Sequence, residues 1–137
     1  MESLSMTYLL DTHVWIWMHT EPELLSQRCK EVLLHLKQQD KLFLSAISIW
    51  EVCKLVEKGK ITLYDDLEAW FEDALDVPGL RVIPLDLPVF LRSTALPQPF
   101  HDDPADQMIV ATARLNTATI LTKDEHLHDY PHVKTLW

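Results

Sequence analysis

The sequence predicts one three-layer α/β/α domain built around a mainly parallel β-sheet. Short apolar segments alternate with amphipathic ones, which is typical of parallel strands covered by helices on both faces. The 137 residues fit one ordinary domain, and 47% of them are hydrophobic, enough for a buried core. The pattern begins after a second methionine, so we assign residues 1–5 to an N-terminal extension and residues 6–137 to the α/β domain.

The strands are expected where short runs of apolar, β-prone residues stand between polar or proline-containing segments. The first run ends at Asp11, and the fourth is followed at once by Lys123 and Asp124. In chain order, the expected strands cover residues 7–10, 42–44, 80–85, 119–122 and 133–136.

The helices are expected where apolar residues recur with helical spacing. The clearest covers residues 65–76, in which apolar side chains share one face and acids occupy the other. Ser48 begins and Gly59 ends another helix, and Asp103 with Pro104 opens a strongly apolar one. In chain order, the expected helices cover residues 12–19, 26–39, 48–58, 65–76, 88–94 and 104–116.

The composition excludes two common classes of nucleic-acid and nucleotide protein. With 2 glycines and neither a GxGxxG nor a GxxxxGK[ST] pattern, the chain lacks the glycine-rich loops that cradle nucleotide phosphates. Its formal net charge of −9 argues against nonspecific nucleic-acid binding through a broad basic surface. Bound cations or a basic protein partner would suit such a chain.

Nothing in the sequence predicts a membrane partner or a disulfide. No apolar run reaches the roughly 18 residues of a membrane span, and the N-terminal residues lack the basic and apolar regions of a signal peptide. Cys29 and Cys53 lie in segments expected to be helical, which favours free thiols. We therefore expect a cytoplasmic protein.

Four acids fall at equivalent places in the expected fold. Asp11 and Asp124 follow strands, whereas Glu51 and Asp106 lie in the first turns of helices. The carboxyl ends of parallel strands and the N-termini of the following helices share one edge of the sheet, where α/β proteins bind their ligands. The four carboxylates are therefore expected to converge.

Each acid also has a purely structural interpretation. Ser48 and Glu51 fit a capping box at a helix start. Asp103 fits a helix cap, with Asp106 placed favourably in the positive field of the first turn. Asp11 and Asp124 could be ordinary loop acids.

Convergence of the acids would favour a bound cation. Asp106 shares a helical stripe with Ile109, Val110 and Ala113, so its side chain is expected to point inward. Crowded, partly buried carboxylates raise one another's pKa and destabilise a fold unless a cation offsets their charge. Oxygen ligands without thiolates or paired histidines favour Mg²⁺ or Mn²⁺ over zinc.

Four stretches carry these acids in a fixed order: YLLDTHVW at residues 8–15, LSAISIWE at 44–51, HDDPADQMIVATA at 101–113 and ILTKD at 120–124. In order and separation they resemble the PIN-domain family, specifically its VapC-type toxin ribonucleases, and the resemblance covers nearly the whole chain. It implies a PIN-like fold, endonucleolytic cleavage of RNA, and a small antitoxin protein as partner. A homodimer is compatible with it.

The resemblance also implies roles for individual residues. Asp103 is a secondary candidate and fits a helix cap better than a metal ligand. Gln107 stands where many relatives carry arginine, so a positive group that could help to bind substrate is absent. The implied catalytic and metal-binding acids, which would hold Mg²⁺ or Mn²⁺, are Asp11, Glu51, Asp106 and Asp124.

Lys54 and Lys123 are the substrate contacts we expect, because they lie near Glu51 and Asp124 in the sequence. Solvated surface charge is the competing interpretation for both lysines. A histidine cluster near the C-terminal end fits no zinc signature, so we expect a solvated loop there; its members are His126, His128 and His132.

The tryptophans are expected first of all in the core. Exposure of Trp15 or Trp17 would instead indicate a groove for a partner helix. The tryptophans considered are Trp15, Trp17, Trp50 and Trp70.

Two alternatives compete with the nuclease hypothesis. A catalytically silent PIN-fold module could bind RNA or protein, which the acidic charge and Gln107 would suit. A phosphoreceiver or aspartyl-phosphate enzyme also carries an acid after its first strand. The lack of a second acid two residues after Asp11 counts against that phosphatase class.

Overall fold

A computed structural model describes residues 5–137. The predicted N-terminal extension therefore falls almost entirely outside the described residues. One five-stranded sheet forms the centre of the fold, with the strand order β3-β2-β1-β4-β5 and every neighbouring pair parallel. The strands are β1 (Thr7–Leu10), β2 (Lys41–Ser45), β3 (Leu80–Ile83), β4 (Thr119–Leu121) and β5 (Lys134–Leu136). The predicted three-layer α/β/α class with a parallel sheet is confirmed.

Helices connect the strands and cover both faces of the sheet. Six of the described helices begin with an aspartate or serine whose side chain accepts a hydrogen bond from a backbone N–H two or three positions on, the usual N-cap arrangement. The helices are α1 (Thr12–Thr20), α2 (Gln27–Leu34), α3 (Ala46–Glu57), α4 (Leu67–Leu75), α5 (Leu87–Ser93), α6 (Pro104–Leu115) and α7 (Glu125–His128).

Alternate residues of the central strands divide the core into two halves. Leu9 and Ile120 belong to the half that contains the buried face of α6, whereas Leu10 and Leu121 belong to the half that contains α1 and Trp70 of α4. The period of two along a strand sends successive side chains to opposite faces. Both faces of β1 are therefore buried, as expected for the middle strand of a covered parallel sheet.

Several predicted boundaries differ from the structure. The helix predicted at residues 26–39 ends at Leu34, because the carboxylate of Asp40 accepts hydrogen bonds from the backbone of Lys37 and of Met6 and holds the chain in a turn before β2. The strand predicted at 80–85 ends at Ile83. Pro22 is expected to open or precede a helix, and it opens a 3₁₀ turn at Pro22–Leu24, whereas the short helix α7 was not predicted.

The start of α3 is a correction that affects the site. Ser45, not Ser48, caps this helix, and its Oγ accepts a hydrogen bond of 3.2 Å from the backbone N–H of Ile47. Glu51 therefore lies in the second turn of α3, so the predicted capping box between Ser48 and Glu51 is wrong.

Among the described residues, every helix is too short or too polar to cross a membrane.

The packing of α1 against α4 depends on one buried indole. Trp15 is fully buried, stacks edge-on against Trp70 at 5.2 Å between ring centroids, and donates a 2.9 Å hydrogen bond from Nε1 to the carbonyl oxygen of Ala74. We expect Trp15→Phe to lower the free energy of unfolding by about 2–4 kcal/mol, because it leaves a cavity and an unpaired carbonyl. Chemical denaturation measures the change.

Trp50→Phe is the matched control, because Trp50 is 54% exposed. It should change the free energy of unfolding by less than about 0.5 kcal/mol. Equal losses in the two variants would contradict the assigned role of Trp15.

Candidate active site

The strand order brings two of the acids side by side at the carboxyl edge of the sheet. Asp11 directly follows β1 and caps α1, while Asp124 follows the neighbouring strand β4 and caps α7. The chain leaves β1 towards β2 on one side and reaches β4 on the other, so this edge is the topological switch point where such folds bind ligands. Both acids line one cavity of about 430 Å³.

The Asp11 carboxylate is buried and held at both oxygens. Oδ1 accepts a 2.8 Å hydrogen bond from the backbone N–H of Thr12, and Oδ2 accepts a 2.7 Å hydrogen bond from the hydroxyl of Thr122. The same Thr122 hydroxyl accepts a 3.0 Å hydrogen bond from the backbone N–H of Asp124. One buried threonine thus fixes the relative positions of two acids.

A second hydroxyl chain positions Glu51. The hydroxyl of Thr12 donates to Glu51 Oε1 over 2.5 Å, and it shares a 2.7 Å hydrogen bond with Ser48 Oγ. Because a hydroxyl has one hydrogen, the Thr12 group that donates to Glu51 must accept from Ser48. Ser48 therefore supports the acid cluster from within α3 rather than capping the helix.

Asp106 lies in the first turn of α6, beside a histidine. Its Oδ2 is 3.1 Å from His101 Nε2, although the N–H is not aligned for a hydrogen bond. Gln107 does not face the acids; its side-chain amide donates a 3.1 Å hydrogen bond to the carbonyl oxygen of His101. Asp103 caps α6 by accepting from the backbone N–H of Asp106 over 2.9 Å, as predicted for a cap.

Burial and neighbouring negative charges both raise the pKa of acids in this site. Burial raises the pKa of Asp106 to about 8, with further increases from the negative charges of four neighbouring acids, Asp11, Asp103, Asp124 and Glu51. Burial likewise raises the pKa of Asp11 and of Glu51, although hydrogen bonds from threonines oppose the rise in both. The acids therefore lie close enough to influence one another's pKa, with burial as the largest cause of each rise.

The donor set fits a hard divalent cation in chemistry but does not preform its coordination. All the converging ligands are carboxylate oxygens, which Mg²⁺ and Mn²⁺ prefer. Within residues 5–137, however, no three Asp, Glu, His or Cys side chains already surround one point as a metal site requires. Asp11 accepts hydrogen bonds from threonines at both oxygens and Glu51 at Oε1, which fixes both side chains and leaves their remaining lone pairs for a cation.

The remaining predicted residues are dispersed. Lys123 is exposed and lines the same cavity as Asp11, whereas Lys54 lies farther along α3 and forms a 2.8 Å ion pair with Glu57. Trp17 is half-buried and also lines the Asp11 cavity. Trp15 and Trp70 are buried, as predicted for core residues.

One prediction for these aromatic residues is wrong, and another holds only in part. Trp50 is exposed rather than in the core, because its side of α3 faces a groove instead of the sheet. The histidines near the C-terminal end are exposed as predicted, but His126 and His128 belong to α7 rather than to a loop. The ring of His128 bridges the carbonyl oxygen of Thr122 and the hydroxyl of Thr135, each at 2.6 Å.

Sequence reasoning missed the hydroxyl groups that hold the acids. Thr12, Ser48 and Thr122 are buried polar residues with at most 1% of their surface exposed. A signal was available, because each stands within three residues of an acid in a segment that is otherwise apolar. Buried hydroxyls require partners, and a neighbouring carboxylate is the natural one.

The sequence family model described as the PIN domain matches residues 8–133. The chain belongs to the PIN domain family. Its relatives include the ribonuclease VapC22 of Mycobacterium tuberculosis, which is 34% identical over 133 residues covering 96% of this chain and 98% of that protein. The predicted family is therefore confirmed.

Solved structures show the same PIN domain fold. VapBC2 from Rickettsia felis bound to a promoter DNA fragment contains a chain with a TM-score of 0.67 and 16% identity, covering 96% of this chain and 98% of that one. A chain of a toxin–antitoxin complex from Klebsiella pneumoniae has a TM-score of 0.63 and 24% sequence identity, covering 92% of this chain and 94% of that one. A chain of FitAcB from Neisseria gonorrhoeae has a TM-score of 0.62 and 23% sequence identity, covering 95% of this chain and 96% of that one.

The raised pKa of Asp106 predicts how the stability of this PIN domain depends on pH. In the unfolded chain this carboxyl ionises near pH 3.8, whereas in the folded protein it keeps its proton up to about pH 8. Its contribution to stability is therefore complete below about pH 4 and is lost between about pH 4 and 8. Asp106→Asn does not titrate, so its stability relative to wild type should rise across this window by about 1–3 kcal/mol.

Urea denaturation at several pH values, in buffer with a metal chelator, measures this difference. Glu72→Gln on α4 removes an exposed acid and serves as the control, with a nearly constant offset from wild type. A constant offset for Asp106→Asn as well would contradict the raised pKa of Asp106.

Proposed function

We propose that this PIN domain is a metal-dependent endoribonuclease that hydrolyses RNA phosphodiester bonds with Mg²⁺ or Mn²⁺. The observation that carries the proposal is the pKa of Asp106, raised to about 8 by burial and by the acids around it. A cation held between these oxygens would relieve the repulsion. The residues proposed to hold it and to act in catalysis are Asp11, Glu51, Asp106 and Asp124.

The need for a cation follows from the charge of the substrate. A phosphodiester is anionic, so carboxylates alone would repel it. A bound divalent ion bridges acids and phosphate, lowers the pKa of a coordinated water and stabilises the charge that develops as the phosphodiester bond breaks. This chemistry suits an acidic chain with few cationic side chains at the site.

The four acids have different surroundings and therefore different proposed roles. Asp11 is held at both oxygens by Thr12 and Thr122, which suits a rigid ligand. Glu51 is held by Thr12 at Oε1, which leaves Oε2 free of hydrogen bonds within residues 5–137 and able to orient an attacking water. Asp124 and Asp106 would complete the ligand set from β4 and α6.

Substrate contacts are proposed at two lysines beside the acids. Lys123 precedes Asp124 and lines its cavity, so its ammonium group could contact a phosphate there. Lys54 is one turn beyond Glu51 on α3, but its ion pair with Glu57 must open for such a contact. Gln107 is occupied by the carbonyl oxygen of His101 and offers no charge in place of arginine.

The comparisons support a toxin role within a toxin–antitoxin pair. The relative at 34% identity is named a ribonuclease VapC22, and several proteins of the same fold were solved as toxin–antitoxin complexes. We therefore propose a small antitoxin protein as partner and a homodimer as the assembly, in the cytoplasm. In this role, expression of the wild-type chain arrests bacterial growth and expression of Asp106→Asn does not.

Cleavage of RNA by the purified chain tests the proposal. In Mg²⁺ or Mn²⁺ the wild type should cleave, and a chelator should abolish cleavage. Asp11→Asn and Asp106→Asn should each lower the cleavage rate by at least about 100-fold, a loss comparable to that of other groups that stabilise developing charge. Gel analysis of end-labelled RNA measures the rate.

Glu72→Gln is again the matched control, because it removes one negative charge from an exposed position on α4. It should leave the cleavage rate within about twofold of wild type. Equal rates for all variants would contradict the proposal, and binding of RNA without turnover under every metal would support the silent binding module instead.

A further inference from the structure

One face of α3 lines a groove beside the acid cluster. The groove has a volume of about 580 Å³ and runs between α3 and the first turns of α6, with Asp103 and Met108 on the α6 side. Six α3 residues at positions i, i+3, i+4, i+7, i+8 and i+11 line it, as a single helical stripe requires. They are Ile47, Trp50, Glu51, Lys54, Leu55 and Lys58.

The groove leads directly to the acids. Glu51 and Asp103 both line it, and both act on the electrostatics of the cluster. Lys58 stands seven residues after Glu51, which places it about 10 Å farther along the helix axis. A chain lying in the groove would therefore pass from the lysine end to the acids.

Trp50 presents an aromatic surface in this groove. Its side chain is 54% exposed, and Lys54 Nζ lies 5.7 Å from the centroid of its ring. The packing of the sheet does not explain this exposure, because α3 turns other residues towards the two cores. An exposed indole face is a platform on which a nucleic-acid base stacks regardless of its identity.

Three lysines of this acidic chain line the same groove. Lys60 lines the groove together with Lys54 and Lys58, so the groove holds three of the 12 Lys and Arg residues of a chain with a net charge of −9. Lys54 is paired with Glu57, whereas Lys58 and Lys60 form no ion pair within residues 5–137. Both ammonium groups are therefore available to phosphates.

We propose that this α3 groove binds a single-stranded segment of the RNA substrate, with one base stacked on Trp50 and phosphates contacting Lys58 and Lys60. The proposal rests on the proposed ribonuclease function and adds where the strand lies. Stacking on an aromatic ring combined with cations along the backbone is how proteins bind single strands without sequence preference. The apolar floor at Leu55 and Met108 suits the faces of bases.

Continuity with the acids favours RNA over an acidic protein segment. Both polymers would be attracted to Lys58 and Lys60. An RNA strand would carry a bond that the proposed nuclease cleaves past Glu51 and Asp103, whereas carboxylates of a protein segment would only meet like charges there.

Binding of a fluorescein-labelled single-stranded oligoribonucleotide, measured by anisotropy, tests the groove. The full chain carries Asp106→Asn, which prevents cleavage during the measurement. Adding Trp50→Ala should weaken binding roughly 5- to 100-fold through loss of stacking, with an unchanged salt dependence. Trp50→Phe should recover most of the affinity, because it restores an aromatic face.

The lysines have a different expected signature. Lys58→Gln with Lys60→Gln should lower the slope of log affinity against log salt by about 1.4, because each phosphate contact to a single strand contributes about 0.7. Lys30→Gln with Lys37→Gln removes the same charge from exposed positions away from the groove and should leave that slope unchanged.

The outcomes separate this proposal from the ribonuclease function. Equal RNA affinity for groove and control variants would overturn the groove assignment, even if the wild type cleaves RNA. If the groove variants lose binding to a polyglutamate peptide but still bind RNA as the parent chain does, the groove docks an acidic protein segment and the RNA assignment is overturned. Groove-dependent RNA binding by a chain that never cleaves would support the groove and contradict the nuclease.

Discussion

Repulsion among carboxylates at one edge of the sheet is the interaction on which the rest of the site depends. The parallel topology sets Asp11 and Asp124 at the ends of neighbouring strands, and α6 adds Asp106. Burial, together with this repulsion, raises the pKa of Asp106 to about 8. Such a concentration of negative charge destabilises a fold, so a cation-dependent function gives a reason for its presence.

The surroundings of the acids both hold and moderate this repulsion. Asp11, Asp103 and Asp124 each cap a helix, so backbone N–H groups offset part of their charge. The buried hydroxyls of Thr12 and Thr122 add donors that keep the carboxylates in place. The structural and catalytic interpretations of these acids are therefore compatible, because the same side chain can cap a helix and face the site.

Much of the fold could be predicted because the sheet is simple. Fully buried parallel strands appear in the sequence as short apolar runs, and the acids that follow them indicate the candidate edge without any knowledge of distant contacts. Local patterns could not choose between Ser45 and Ser48 as the cap of α3, since both precede a helical pattern. The tertiary hydrogen bond from Ser48 to Thr12 decides it.

The exposure of Trp50 could not be predicted from the sequence for a similar reason. A tryptophan within a helical pattern normally indicates the core, and only the relative placement of α3 and α6 reveals that this side of α3 borders a groove. The sequence likewise carried no sign that Gln107 would hold the His101 loop instead of facing the acids. Each of these features arises between elements rather than within one.

Thermal unfolding in a titration with Mn²⁺ at pH 8 tests most directly whether the acids share a cation. We predict that the melting temperature of the wild type rises with Mn²⁺ and that Asp106→Asn, which removes one proposed ligand, responds much less. At one hundred times the dissociation constant, the added stability of the wild type should be about 2.7 kcal/mol. Equal responses of the two proteins, or no response in either, would contradict the account.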